Sequence, residues 1–335
     1  MNAPRILIVG PAWVGDMVMA HSLVQTLLQR HPGAAIDVLA PGWSLPLLAR
    51  MPGVHEGIEM PLGHGQFGLA TRWRLGRRLR GRYDQAIILP GSLKSALVPF
   101  FAGIPQRTGF RGEHRYGLIN DMRPLDKARL PMTVQRFTAL GLPAHAAMPP
   151  PYLRPRLTVD PGNQARLRRE LTLDTTLPVI ALMPGAEYGP AKQWPLAHFA
   201  ELARRLIESG RQVWILGSAK DRAAGETIAR QAGAGVRNLC GQTRLEDAVD
   251  LLALAQAAVT NDSGLMHVAA ALDVPTIALF GSSSPAHTPP LSERAKVLYL
   301  GLDCSPCFKR VCPLGHTRCL SEIHPSQVMD VLQVL

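Results

Sequence analysis

Short apolar runs alternate with longer stretches of helical periodicity along most of the chain. In the first half, the apolar runs predict strands at 5–10, 36–40, 55–60, 85–90 and 107–110. Stretches with apolar residues three or four positions apart predict helices at 17–30, 44–50, 67–82 and 92–101. Continuous apolar strands that alternate with helices indicate a parallel sheet buried on both faces, and therefore an α/β fold.

Prolines gather between residues 143 and 161, and the same alternation resumes after them. This composition is typical of a semi-rigid linker, so we expect two domains, 1–150 and 151–335. In the second domain the predicted strands are 178–183, 212–216, 236–239, 257–260, 276–280 and 296–300, with helices between them and a last helix at 325–335. We expect two Rossmann-like domains of similar size that face each other across a cleft, where ligands commonly bind.

Hydrophobic residues make up 47 % of the chain, which is enough for two packed cores. No apolar run approaches the roughly 18 residues that a membrane-spanning helix needs. Residues 1–5 lead directly into the first predicted strand, without the charged and apolar regions of a signal peptide. We therefore expect a cytoplasmic protein.

The positive charge of the chain is concentrated in its first half. The net charge of +11 divides into +9 for residues 1–150 and +2 for residues 151–335, and six arginines lie between residues 72 and 82. Such a cluster could bind nucleic acid, an anionic membrane or a polyanionic substrate, or it could simply face solvent. Because no RNA-binding or helix-turn-helix motif accompanies it, we expect no nucleic acid partner.

The segment TNDSGLMHVAAAL at 260–272 turns from a strand into the N-terminus of a helix. The carboxylate of Asp262 could accept hydrogen bonds from sugar hydroxyls, and the backbone amides of Ser263 and Gly264 could hold a diphosphate. In the alternative interpretation, Asp262 or Ser263 caps the helix and His267 packs inside it. From this segment alone the alternative is favoured, because capping is the common use of these residues.

Four further loops follow strands of the second half. The loop PGAEYGPAKQWP at 184–195 contains one cation, Lys192, which could pair with a phosphate. The others are 216–221, 241–243 and 281–285, and Asp221 in the first of them could bind ribose hydroxyls or cap the next helix. Because the carboxyl ends of parallel strands meet at one sheet edge, these loops predict a site for a nucleotide-containing ligand.

The segment GPAWVGD at 10–16 follows the first strand and is rich in glycine. It matches neither G-x-G-x-x-G nor the P-loop, since no Lys-Ser/Thr pair follows Gly15. Asp16 lies at the start of the next helix, where it could take a proton from a hydroxyl group or merely cap the helix.

Four of the five cysteines lie within 16 residues, at Cys304, Cys307, Cys312 and Cys319. In a reducing cytoplasm these thiols favour a structural zinc site over disulfides, and His316 could replace one thiolate. The spacing between the last two cysteines departs from the usual C-x2-C, so unligated thiols remain the alternative. We expect this cluster to be structural and remote from the chemistry.

Together these segments resemble the ADP-heptose:lipopolysaccharide heptosyltransferases of glycosyltransferase family 9. The similar stretches are ILIVGPAWVGDMVMAHSL at the start, MPLGHG at 60–65, and the segments 94–121, 184–195 and 260–272. The resemblance implies the two-domain GT-B fold, with the acceptor bound by domain 1–150 and ADP-heptose by domain 151–335. It implies an inverting transfer that needs no cofactor, from ADP-L-glycero-β-D-manno-heptose to the first heptose of heptosyl-Kdo2-lipid A, at the cytoplasmic leaflet of the inner membrane.

The resemblance also implies roles for individual residues. Asp16 would be the general base, Lys192 would contact the diphosphate, and Asp262 would accept hydrogen bonds from the heptose hydroxyls. The other donor-binding residues that it implies are Asp221, Thr243, Ser263, Gly264 and His267, and those on the acceptor side are Gly15, Arg111 and Arg115. It gives the cysteine cluster no role.

Two other functions compete with this one. A sugar-nucleotide epimerase of the same fold would act on a similar donor without any acceptor. A non-enzymatic basic module would bind polyanions tightly and in a salt-sensitive manner, with no turnover.

Overall fold

The computed structural model describes residues 3–63 and 65–334, so His64 of the segment 60–65 and the last residue of the predicted helix 325–335 lie outside the described residues. The chain forms two compact units, Met1–Arg156 and Leu157–Leu335. In the part of the chain that is described, each unit contains one six-stranded sheet whose paired strands are all parallel.

The sheet of the first unit has the strand order β3-β2-β1-β4-β5-β6. Its strands are β1 (Arg5–Val9), β2 (Ala35–Pro41), β3 (Glu56–Met60), β4 (Gln85–Ile88), β5 (Gln106–Phe110) and β6 (Asp121–Arg123). Its helices are α1 (Val14–Arg30), α2 (Leu45–Leu48), α3 (Leu69–Arg78), α4 (Leu97–Phe101) and α5 (Thr133–Leu140), with 3-10 turns at Gly42–Ser44 and Leu93–Ala96. In the central strand, Ile8 lies opposite Val38 on one side and Ile87 on the other, so apolar side chains fill the middle of this sheet.

The sheet of the second unit has the strand order β12-β11-β10-β7-β8-β9. Its strands are β7 (Val179–Met183), β8 (Gln212–Ile215), β9 (Val236–Asn238), β10 (Ala257–Asn261), β11 (Thr276–Phe280) and β12 (Ala295–Tyr299). Its helices are α6 (Pro161–Glu170), α7 (Leu196–Glu208), α8 (Arg222–Ala232), α9 (Leu245–Leu252), α10 (Gly264–Ala271), α11 (Arg318–Ser321) and α12 (Pro325–Gln333), with 3-10 turns at Pro190–Lys192 and Ala219–Asp221. Every residue of β7, β10 and β11 is buried, including the polar Thr260 and Asn261 at the end of β10 and Thr276 at the start of β11.

Each sheet has one point where the order of its strands reverses. In the first sheet this point lies between β1 and β4, and in the second it lies between β7 and β10. Ligands of open α/β sheets bind outside the carboxyl ends of the strands at such points. Asp16 follows β1, whereas Lys192 follows β7 and Asp262 follows β10, so both units carry predicted site residues at their reversal points.

The α/β class predicted from the apolar pattern is confirmed, and the differences are local. The basic helix predicted at 67–82 is shorter at both ends. Gly68 adopts a left-handed conformation with φ of 52° just before its start at Leu69, and Gly81, with φ of 72°, follows its end at Arg78. Strand β6 and the helices α5, α6 and α11 had no counterpart in the prediction. Among the described residues, no helix combines the length and the apolar character that crossing a bilayer requires.

Candidate active site

The carboxylate of Asp262 is the centre of a buried polar cluster at the reversal point of the second sheet. Only 6 % of Asp262 is exposed, and its Oδ2 accepts hydrogen bonds from Lys192 Nζ and Ser283 Oγ, each at 2.5 Å. The Lys192 side chain is itself 17 % exposed, so this ion pair is largely shielded from water. The cluster therefore connects the loops that follow β7, β10 and β11. Ser283 lies in a loop that the sequence identified, but its contact with Asp262 has no sequence signature.

The loop that carries Lys192 is held at both ends by one buried side chain. Asn261 donates from Nδ2 to the carbonyl of Pro184 at 2.7 Å, and the backbone N–H of Trp194 donates to Asn261 Oδ1 at 3.0 Å. The indole N–H of Trp194 in turn donates to the carbonyl of Ile323. Asn261 thus fixes the place from which Lys192 extends, a role that the sequence did not reveal.

His267 lies on α10 beside the Lys192–Asp262 pair and is 5 % exposed. Burial, which the nearby positive charge of Lys192 reinforces and the charge of Asp262 opposes, lowers the pKa of His267 to about 4. The imidazole is therefore neutral at pH 7 and does not compete with Lys192 for the charge of Asp262. It can line a donor pocket, as predicted, but it cannot supply a positive charge there.

The N-terminus of α10 has no side-chain cap among the described residues. Ser263 is the N-cap residue, and its side chain makes no capping hydrogen bond with any residue that the structure describes. Asp262 is engaged by Lys192 and Ser283 instead, so the alternative interpretation of these two residues as side-chain caps does not describe this helix. Because the first amides of a helix lack internal partners and carry the positive end of its dipole, this position is suited to an anion.

The loops after β8 and β9 show a different outcome. Asp221 Oδ2 accepts hydrogen bonds from the backbone N–H and the hydroxyl of Ser218, both at 2.8 Å. Asp221 therefore closes the 3-10 turn Ala219–Asp221, whereas its side chain makes no capping hydrogen bond to α8, the helix that follows, with any residue that the structure describes. Thr243 is half-buried and follows Gly241, whose N–H donates to the carbonyl of Gly217. The ribose and adenine contacts expected of these residues remain predictions.

On the first unit, Asp16 lies in the first turn of α1 and is half-buried, next to the buried Gly15. A carboxylate in a first helical turn interacts favourably with the helix dipole, which suits an ionised base. Because α1 directly follows β1, Asp16 lies at the carboxyl end of that strand and at the reversal point of the first sheet, where ligands of such sheets bind.

The two arginines expected on the acceptor side differ in their surroundings. Arg111 is exposed, whereas Arg115 is 1 % exposed. The guanidinium of Arg115 donates to the carbonyl of Pro90 at 2.7 Å, to the carbonyl of Phe110, and more weakly to Ser95 Oγ. Arg115 therefore holds together the loops after β4 and β5, and it does not present a cation at the surface.

The zinc prediction receives no support from the positions of the thiols. Within residues 3–63 and 65–334, three or more potential ligand atoms lie within 4.8 Å of one another only at Asp37, His55 and Glu56. Zinc holds each sulfur at about 2.3 Å, which places thiolates about 4 Å apart. The four cysteines are near neighbours, since burial and the other three thiols raise the pKa of Cys319. However, no three of their sulfur atoms lie within 4.8 Å of one another among the described residues, so the set is wider than a zinc tetrahedron.

The group at Asp37, His55 and Glu56 belongs to an ion-pair network near the starts of β2 and β3. Arg82 lies 2.9 Å from Glu56 and 3.7 Å from Asp37, and Tyr83 donates a hydrogen bond to the second oxygen of Asp37. Arg82 and Tyr83 thus already supply the positive charge and the hydrogen-bond donors that the carboxylates of Asp37 and Glu56 need. This network lies at the end of the strands opposite to the one that binds ligands.

The four cysteines lie in the segment 304–319, which we call the cysteine-rich loop. The expectation that this loop is remote from the chemistry is wrong, because it contacts two of the predicted donor loops. The N–H of Phe308 donates to the carbonyl of Ser282 at 2.7 Å, and the hydroxyl of Tyr188 donates to the carbonyl of Phe308 at 2.8 Å. The N–H of Ala191 donates to the carbonyl of Arg310 at 3.0 Å. The loop therefore packs against the residues adjacent to both Lys192 and Ser283.

Known proteins resemble this chain over nearly its full length. A family model described as glycosyltransferase family 9 (heptosyltransferase) matches residues 72–318. The lipopolysaccharide heptosyltransferase 2 of Salmonella typhimurium is 50 % identical, and the match covers 99 % of this chain and 98 % of that protein. The lipooligosaccharide heptosyltransferase 2 of Haemophilus influenzae is 52 % identical over 88 % of each chain. The solved structure of E. coli ADP-heptose lps heptosyltransferase II is 48 % identical, covers 98 % of both chains and gives a TM-score of 0.87, which confirms the GT-B class.

Proposed function

Because this chain belongs to glycosyltransferase family 9 (heptosyltransferase), we propose that it transfers heptose from ADP-heptose to the lipopolysaccharide core, onto the first heptose of heptosyl-Kdo2-lipid A. The observation that carries the proposal is the buried Lys192–Asp262 pair, which lies beside an open helix N-terminus at the reversal point of the second sheet. A cation and free backbone amides beside a carboxylate suit a ligand that combines a diphosphate with a sugar. The near-complete match to proteins named heptosyltransferase 2 supports the same substrates.

The second unit is the proposed donor domain. The amides at the start of α10 and the ammonium of Lys192 face the diphosphate, and the remaining carboxylate oxygen of Asp262 accepts hydrogen bonds from heptose hydroxyls. Both positive groups act most strongly as negative charge grows on the leaving diphosphate, so they lower the barrier as well as binding the donor. These two groups supply part of the charge stabilisation that the leaving diphosphate needs, and neither of them is a cofactor.

The first unit is the proposed acceptor domain, and Asp16 is its base. The acceptor oxygen attacks the anomeric carbon of the heptose from the face opposite ADP, while Asp16 takes the hydroxyl proton. The bond between the anomeric carbon and the diphosphate oxygen breaks, and its electron pair leaves with ADP. The configuration at the anomeric carbon is therefore inverted, through a transition state with oxocarbenium character.

Transfer assays with two acceptors test this function. Purified protein should move heptose from ADP-heptose to heptosyl-Kdo2-lipid A and leave Kdo2-lipid A unmodified. Equal transfer to both acceptors would contradict the proposed acceptor, and no transfer to either would contradict the function. Incubation with the donor alone distinguishes an epimerase, which would produce an altered sugar nucleotide without any acceptor.

We also propose that the enzyme contacts the cytoplasmic leaflet of the inner membrane through an exposed surface of the first unit, which we call the α3 surface. It combines three half-exposed apolar side chains with four exposed arginines: Phe67, Leu69, Trp73, Arg74, Arg77, Arg78 and Arg80. These arginines form no ion pair with any described residue, whereas Arg72 is buried and donates to the carbonyl of Phe67 at 2.6 Å. Aromatic residues beside unpaired cations are typical of helices that lie on anionic lipid surfaces.

Neutralising part of the α3 surface should weaken binding to anionic vesicles. Each arginine near such a surface contributes about 1 kcal/mol, so Arg74→Gln/Arg78→Gln should lower the partition coefficient by about tenfold or more. The measurement is co-sedimentation with vesicles of phosphatidylethanolamine and phosphatidylglycerol. The matched control is Arg168→Gln/Arg169→Gln, which removes two exposed arginines from α6 of the second unit. An equal loss of vesicle binding in both double variants would reflect net charge alone and would contradict the proposed membrane contact through the α3 surface.

A further inference from the structure

The proposed donor site has too little unpaired positive charge for its ligand. The diphosphate of a sugar nucleotide carries two negative charges and gains more as the sugar leaves. Lys192, the cation of the loop after β7, is already paired at 2.5 Å with the buried carboxylate of Asp262. His267 is neutral at pH 7, since its pKa is about 4. The helix N-terminus supplies only about half a unit charge, so a further cation is needed near Lys192.

The cysteine-rich loop places such a cation beside the same ring that Lys192 contacts. Lys192 Nζ lies 5.1 Å from the centroid of the Tyr188 ring, and the guanidinium carbon of Arg310 lies 5.2 Å from it. Arg310 is exposed, and no carboxylate of the described residues pairs with it. An exposed arginine without a carboxylate partner is available to bind a phosphate with two parallel hydrogen bonds.

The backbone fixes the position of Arg310 more firmly than its exposure suggests. Its carbonyl accepts the N–H of Ala191, the residue before Lys192, and the Tyr188 hydroxyl donates to the carbonyl of Phe308. Gly189 lies so close that a Cβ there would stand 2.5 Å from the Arg310 carbonyl oxygen. The lack of a side chain at Gly189 thus allows the cysteine-rich loop to approach the loop that carries Lys192.

We infer that Arg310 is a further diphosphate-binding residue of the donor site, and that the cysteine-rich loop serves to deliver it there. The inference rests on the proposed function, because it concerns the same ADP-heptose. It gives the cysteine-rich loop a role in substrate binding that the spacing of its thiols did not suggest. Arg310 supplies the positive charge that the Lys192–Asp262 pair lacks, both when the donor binds and when ADP leaves.

Calorimetric binding of ADP and of adenosine to Arg310→Ala tests this inference. Loss of a charge-assisted contact should raise the Kd of ADP by about tenfold to a hundredfold. The Kd of adenosine, which has no phosphate, should stay within about twofold of the wild-type value. Arg310→Lys should recover part of the ADP affinity, because it keeps the charge but loses the two-pronged geometry. In transfer assays, Arg310→Ala should raise the KM for ADP-heptose and lower kcat.

Lys309→Ala is the matched control, since Lys309 is the adjacent exposed cation and contacts no aromatic ring among the described residues. It should bind ADP like the wild type. If Arg310→Ala binds ADP normally, or loses adenosine and ADP equally, the role of Arg310 is overturned while the proposed function stands. If the wild-type protein itself does not bind ADP, both are overturned.

Discussion

Asp16→Asn is expected to lower kcat by about 10²- to 10⁴-fold, the range over which a positioned general base accelerates a reaction. The amide has nearly the same shape as the carboxylate but cannot take the proton of the acceptor hydroxyl. Asp16 lies on α1 of the first unit, whereas Lys192 and Asp262 belong to the second. The affinity for ADP-heptose should therefore remain within about twofold of the wild-type value.

Steady-state transfer and calorimetry with ADP-heptose separate these two effects. Asp126→Asn is the control, because Asp126 is an exposed carboxylate of the same unit whose Oδ1 accepts hydrogen bonds from the nearby backbone N–H groups of Ala128 and Arg129. Near-normal turnover of Asp16→Asn would remove Asp16 from the chemistry, and an equal loss in Asp126→Asn would indicate a general effect of charge.

The central strands could be predicted closely because burial on both faces demands continuous apolar sequence. The predicted strand 276–280 has the same bounds as β11, and the predicted strand 178–183 differs from β7 by one residue. Strand β6 was missed because Asp-Met-Arg is short, polar and at the sheet edge. Helix α5 was missed because its apolar face, with Phe137 and Leu140, is short and follows a proline-containing segment without a capping residue of the usual kind.

The positions of the donor loops could be predicted, but the contacts within them could not. Strand ends place polar loops at one edge of a sheet, and this rule correctly brought Lys192 near Asp262. Which side chains then pair depends on the three-dimensional packing of the loops, because residues such as Lys192 and Asp262 are 70 positions apart in the sequence. The same holds for Arg115, whose burial follows from the packing of two loops, and for the cysteine-rich loop, whose backbone docks on the donor loops without any side-chain motif.

Lys192→Ala should have two separable effects, because Lys192 pairs with a buried carboxylate and is also the proposed diphosphate ligand. Removing it leaves Asp262, 6 % exposed, with Ser283 as its remaining donor among the contacts described above. An uncompensated buried charge costs about 3 kcal/mol of unfolding free energy. The lost charge-assisted contact should also raise the Kd of ADP-heptose by about tenfold to a hundredfold.

The double variant Lys192→Ala/Asp262→Asn distinguishes the structural effect from the effect on binding. With no charge left to bury, its unfolding free energy in chemical denaturation should return most of the way to the wild-type value. Its affinity for ADP should stay low, since the cation that faces the diphosphate is still absent. Lys220→Ala is the control, because it removes a lysine whose ion pair with Glu187 is exposed and should therefore leave the unfolding free energy nearly unchanged. Recovery of ADP binding in the double variant would show that Lys192 only balances Asp262, whereas undiminished stability of Lys192→Ala would show that Asp262 does not need it.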